Sequence, residues 1–98
     1  MKIETTRKEN ELILSLEGRL DTMASPEFEK AVKENLDGVE KLVLDFAGVG
    51  YVSSAGLRVI LGTQKIMNKQ GKMILRNVNE TVRDIFEITG FIDFLMIE

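Results

Sequence analysis

Apolar and polar residues alternate strictly from Glu11 to Glu17: Leu12, Leu14 and Leu16 face one way, and Ile13, Ser15 and Glu17 the other. Period-two alternation marks a half-buried strand. Lys2 to Thr6 reads as its partner, joined through a polar turn at Lys8-Glu9-Asn10. From Ser25-Pro26 the spacing becomes helical. Phe28, Ala31, Val32 and Leu36 form one apolar stripe, with Ser25 expected as N-cap and Pro26 at the first helical position. Asp37-Gly38 ends that helix, and Lys41 to Phe46 reads as an interior strand covered on both faces. After a glycine-containing turn, a second helix is expected from about Ser54 to Lys69, with Leu57, Ile60, Leu61, Gln64 and Met67 along one side. Gly71 stops it, and Lys72 to Arg76 forms a fourth strand. Asn79 caps a third helix, in which Val82, Ile85, Phe86 and Thr89 recur until Gly90; Phe94 to Ile97 is expected as a final strand.

The predicted order is β-β-α-β-α-β-α-β. A hairpin followed by alternating strands and helices specifies an α/β layer protein with a mixed sheet. No stretch reads as a linker, a repeat or a low-complexity segment, so residues 1–98 are treated as one domain. The methionines, Met67 among them, are expected as core filling.

Composition narrows the chemistry. The chain has no cysteine and no histidine, which removes thiol chemistry, thiolate metal sites, the commonest general base and the commonest metal ligand. Hydrophobic content of 44% with 30% charged residues fits a globular domain rather than a disordered one. A net charge of −3 without any run of Lys/Arg argues against nucleic acid as a partner. Apolar runs fall far short of the roughly 20 residues that span a bilayer. Met1-Lys2-Ile3-Glu4 carries a charge pattern unlike a secretory signal, so the expected address is the cytoplasm, with no membrane partner.

The richest segment runs from Asp45 to Leu57: a buried strand, a glycine-rich exit, two hydroxyls at Ser53 and Ser54, and a helix start. Open α/β sheets place functional crevices beyond the carboxyl ends of their strands. A serine there is a natural N-cap, and also a natural seat for a phosphate, because free amides and the helix dipole favour an anion. Either Ser53 or Ser54 fits both roles. Gly48-x-Gly50-x-x-Ser53 imitates the start of a dinucleotide fingerprint, but its third position is Ser, and no P-loop sequence exists. A nucleophilic serine would need a base; Lys65 lies eleven positions beyond Ser54, about 16 Å along a helix. Asp21, in the turn Gly18-Arg19-Leu20-Asp21-Thr22, suits either a self-bonded turn or a charge presented to a partner. No cofactor and no metal are expected, and the chain does not read as an enzyme.

These residues resemble a known family. Gly18-Arg19-Leu20-Asp21 with Phe28, Leu44-Asp45-Phe46 with Val49, and above all Ser53-Ser54-Ala55-Gly56-Leu57 are similar to the STAS domain of bacterial anti-sigma factor antagonists. The resemblance implies a mixed sheet with helices mainly on one face. It implies a protein-binding switch that sequesters an anti-sigma factor with serine kinase activity, freeing a sigma factor and so regulating transcription. Phosphorylation of the serine at the helix start would break the complex, and a metal-dependent serine phosphatase would restore it. The family shows Asp-Ser-Ser/Thr-Gly-Leu, and Ser54 occupies its second place. Ser53 replaces the acidic residue and Ala55 the following hydroxyl, which leaves Ser53 as a rival acceptor.

The partner surface implied by the resemblance comprises Asp21, Thr22, Gly50, Tyr51, Val52, Ser53, Ser54, Ala55, Gly56 and Arg58. Arg58 reads first as an exposed helix residue, and alternatively as a group that positions a partner or the phosphate. The alternative reading is a STAS scaffold or ligand-sensing module outside phosphorylation control. Many members carry a further helix beyond the position of Glu98, so part of the sheet is expected to be less covered.

Overall fold

The computed structural model describes residues 1–98. Strands β1 (Lys2–Lys8), β2 (Glu11–Leu20), β3 (Lys41–Val52) and β4 (Lys72–Arg76) lie side by side in that order. The β1–β2 pair is antiparallel; β2–β3 and β3–β4 are parallel. The parallel crossovers are made by helices α1 (Ser25–Asn35) and α2 (Ser54–Gln70), and α3 (Glu80–Thr89) follows β4.

Register puts Leu12 beside Leu42 and Leu42 beside Met73, with Leu14, Leu44 and Leu75 in the next row. These residues join Phe28 and Val32 of α1, Ile60 and Met67 of α2, and Val82 and Phe86 of α3 in one core cluster. Each large side chain so enclosed contributes about 1.5–3 kcal/mol. The Phe46 and Phe86 rings meet edge to face, with centroids 6.3 Å apart. The helices therefore serve one face of the sheet. On the other face the row Ile13, Val43, Ile74 stands outside this cluster, so β3 is covered by helices on one side only. Val43 is nonetheless buried, flanked in its own strand by Lys41 and Asp45 and across the row by its two isoleucine neighbours.

The expectation that Lys41 to Phe46 is covered on both faces thus changes, and three others change with it. First, β2 and β3 run on past Glu17 and Phe46 to Leu20 and Val52. Two register shifts, at Ser15/Glu17 and Gly18/Arg19, let the pair continue through the glycines that read as a turn. A Cβ on Gly48 would stand 3.0 Å from the Leu16 carbonyl oxygen, so a side chain there would crowd the first shift. Second, Ser25 is not the N-cap of α1. Ala24 holds that place, the Asp21 carboxylate accepts its N–H at 2.9 Å, and Ser25 Oγ donates to the Asp21 carbonyl. Third, the final strand contracts to one parallel bridge, Leu75 to Ile97, because Phe91–Phe94 forms a 3-10 turn instead.

On the open face, Asp45 lies between Ser15 and Arg76. Its Oδ1 accepts from Asn77 Nδ2 and from the Ala47 N–H, both at 3.0 Å, and Arg76 Nε stands 3.5 Å from Oδ2. Asn77 reaches it from a left-handed conformation (φ 58°), which asparagine tolerates better than most residues. The Asn77 hydrogen bond, helped by Ala47 and Arg76 and opposed by partial burial, holds this carboxyl below its ordinary value of 3.8.

Helix α2 packs its first turn directly on the end of β2. A Cβ at Gly56 would lie 2.7 Å from the Leu20 carbonyl oxygen and 2.8 Å from its Cγ. At Gly62, in the same helix, a Cβ would meet nothing within 4 Å. Gly56→Ala is therefore expected to destabilise the fold by about 1–3 kcal/mol. Gly62→Ala should stabilise it by about 0.5–1 kcal/mol, the helix-propensity difference. Urea unfolding of the two variants checks this, and equal effects would contradict the packing described. For Asp45, a depressed folded-state pKa means stability that is present above the ordinary value and lost as pH falls below it. Asp45→Asn should thus cost about 1–3 kcal/mol at pH 7 and progressively less below pH 4. Urea titrations at pH 7 and pH 3 measure the difference, and a gap that stays constant refutes it.

Candidate functional site

The extended β2–β3 pair decides what is assembled at the carboxyl end of the sheet. Leu20 and Val52 are register partners, and the Ser53 N–H donates to the Leu20 carbonyl at 2.9 Å. The start of α2 is thereby fixed beside the turn that leads into α1. Close approach requires that residue 56 have no side chain, so Gly56 is a packing residue, buried against Leu20 and Val52.

The two hydroxyls have different surroundings. Ser53 is the N-cap of α2, 8% exposed, and its Oγ accepts the Gly56 N–H at 3.2 Å. Ser54 is the first helical residue and is exposed. It therefore carries a solvent-reachable hydroxyl at the positive end of a helix of 17 residues, where the leading amides have no intrahelical acceptor.

Next to it in sequence, half-buried Ala55 lines a shallow cleft between the starts of α1 and α2, together with exposed Thr22, Arg58 and Glu29. Asp21 is half-buried and engaged: its carboxylate and its carbonyl both cap α1. Its other carboxylate oxygen lies 4.0 Å from Arg19 Nε. The Arg19 guanidinium also sits over the Tyr51 ring, 4.3 Å from its centroid. Gly50 is exposed in the strand just before.

Not all the expected contact residues reach the surface. Val52 is buried in the core, and Ser53 and Gly56 are enclosed, so these three shape the site from beneath. Gly48 and Gly50 belong to β3 and form no loop ahead of a helix, so no phosphate-cradling turn of the dinucleotide type exists here. Met67 and Met73 are core residues as expected, but Met23 is 88% exposed and Met96 54% exposed. Met23 shares a hollow with Arg19, Asp21 and Glu27 beside the site. Nothing in the local pattern locates it: it is an apolar residue between Thr22 and Ala24, in a turn with no periodic partner on either side.

Comparison with known proteins agrees with this architecture. The STAS domain family model matches residues 2–98. BtrV of Bordetella bronchiseptica is 34% identical over 94 residues, spanning 94% of this chain and 81% of that protein. The anti-sigma-B factor antagonist of Staphylococcus aureus is 30% identical over 97 residues, spanning 97% of this chain and 90% of that protein. Among solved structures, an anti-sigma factor antagonist from Mycobacterium paratuberculosis superimposes with a TM-score of 0.88 at 20% identity, covering 98% of this chain and 83% of that one. The Bacillus cell fate determinant SpoIIAA in its phosphorylated form gives 0.76 at 20% identity, covering 99% and 91%. Sequence and fold together place this chain in the STAS domain family.

Proposed function

We propose that this protein is an anti-sigma factor antagonist whose binding surface is the carboxyl end of the sheet and whose switch is phosphorylation of Ser54. The observation that carries the reading is the difference between adjacent serines: Ser53 Oγ is committed to the Gly56 amide, whereas the Ser54 hydroxyl is exposed at the helix start. Near full-length similarity to the Staphylococcus aureus antagonist supports the partner class. A protein of the same fold, SpoIIAA, is known in phosphorylated and unphosphorylated forms, which supports the type of control. The partner is an anti-sigma factor with serine kinase activity, and a serine phosphatase reverses the modification. The work is binding rather than catalysis, and it takes place in the cytoplasm.

Physics explains why such a modification acts on the complex and not on the fold. A phosphate adds about −1.5 to −2 charge at pH 7. At an exposed helix N-terminus that charge is locally favourable, by about 0.3–1 kcal/mol. Beneath a docked partner the same charge must be desolvated and repels any carboxylate facing it. Met23, Tyr51 and Arg58, with Thr22 and Ala55, supply the surrounding contact area; aromatic, Met and Arg side chains are enriched in protein interfaces. No helix of this chain is long and apolar enough to cross a membrane, in keeping with this reading.

Ser54→Asp should leave the unfolding midpoint close to wild type and weaken partner binding by about 2 kcal/mol or more, roughly thirtyfold. Ser54→Ala should bind normally and take up no phosphate. Ser53→Ala should still be phosphorylated, but it loses the cap and about 0.5–2 kcal/mol of stability. Affinity capture from host lysate identifies the partner, titration calorimetry measures its affinity for each variant, and mass spectrometry locates the phosphate. Phosphate on residue 53, or a Ser54→Asp protein that binds as tightly as wild type, overturns the proposal.

A further inference from the structure

The arginines of this chain divide sharply. Arg7 donates to the carbonyls of Glu9, Asn35 and Asp37, binding the first hairpin to the end of α1. Arg19 is held by Asp21 and Tyr51, Arg76 by Asp45, and Arg83 by Glu87. Arg58 alone has neither a hydrogen bond nor an ion pair, and it is exposed. It stands four positions after Ser54 in α2. Residues so spaced are neighbours on one helix face, about 5–6 Å apart at Cβ.

We propose that Arg58 is the residue that holds a phosphate on Ser54 in cis, so that modification both adds a charge and takes away the free cation of this surface. The inference rests on Ser54 being the modified residue, and it goes beyond that reading by assigning the phosphate its counter-charge. Guanidinium donors match phosphate oxygens in pairs, a geometry that lysine lacks. The side chain has room to swing, since it lines the open cleft between α1 and α2. The charged groups around the phosphate are few. Glu29 from α1 lines the same cleft but is itself paired with Lys33 at 3.9 Å. From the turn before α1, Asp21 is paired with Arg19. Within α2 the first turn carries no acidic residue. No other unpaired guanidinium competes for the phosphate.

The test uses full-length protein carrying phosphoserine incorporated at position 54, which needs no kinase. The second ionisation of phosphoserine, ordinarily near pH 6, is followed by phosphorus NMR. A neighbouring guanidinium favours the dianion, so the midpoint in the wild-type background should lie about 0.3 lower than in Arg58→Gln. Arg58→Lys should recover part of the difference, and Lys65→Gln should leave the midpoint unchanged. The Arg58 Nε–H resonance should move on phosphorylation, and the midpoint difference should shrink at about 1 M salt. Midpoints that coincide in wild type and Arg58→Gln, with an unmoved Arg58 resonance, overturn the proposal. That result would leave Ser54 intact as a kinase target, whereas absence of kinase phosphorylation at Ser54 would sink the functional reading and the role given to Arg58 with it, even if the midpoint difference were found.

Discussion

The close approach of α2 to the end of β2 is the constraint from which the site follows. It needs three things at once: parallel pairing that carries β2 and β3 to Leu20 and Val52, a hydrogen bond from Ser53 to Leu20, and a residue without Cβ at position 56. Given these, the first turn of α2 has nowhere else to go. Ser53 faces inward and caps the helix, and Ser54, one residue on, faces outward. The division of labour between two identical side chains is thus a consequence of backbone packing, not of any difference in their chemistry.

The same end of the sheet shows how rigidity and availability are combined. Asp21 is spent on capping α1, Arg19 on Asp21 and the Tyr51 ring, and Ser53 on Gly56. These bonds fix the platform. Thr22, Met23, Ser54 and Arg58 carry exposed side chains above it. Under the proposed function a partner docking on them loses little by ordering the surface, because the backbone beneath is already set. The second network, Asp45 with Asn77, Ala47 and Arg76, holds the midpoint of β3 to the end of β4. It lies on the helix-free face and supports the strand that leads to the candidate site.

How much of this could be read from the residues depended on which forces act locally. The helix boundaries at Asn79, Gly71 and Gly90 are legible because capping is decided within a few positions, whereas the sequence leaves Ser53 and Ser54 open as the cap of α2. The alternation of Leu12, Leu14 and Leu16 set the core face of β2 for the same reason. The extension of β3 was not legible. Gly48 and Gly50 carry turn propensity, and only a neighbouring strand with shifted register turns them into sheet. The cap at Ser25 failed in a related way: the carboxylate that satisfies the helix start comes from Asp21, four residues upstream, across a turn whose path the pattern does not specify. The last strand failed because Phe91 to Phe94 closes a 3-10 turn against α3, leaving too few residues to pair.

The residues expected at the candidate surface do not all lie at the depth that the sequence suggests. Val52 and Gly56 were assigned to contact since they flank the serines in sequence, yet a strand sends alternate side chains to opposite faces and a helix start buries one side of its first turn. Met23 was misjudged in the opposite direction, as core, because methionine is apolar and its turn offers no periodicity to locate it. Both errors have one origin. Adjacency along the chain says which residues share a site; only the position of the backbone relative to the core says which of them a second protein can touch. With Gly56 pinned to Leu20, the exposed set at the start of α2 reduces to Ser54 and, one turn later, Arg58. A charge placed on the first therefore acts where Asp21, Arg19 and Ser53 are already engaged, which leaves Arg58 as the guanidinium free to answer it.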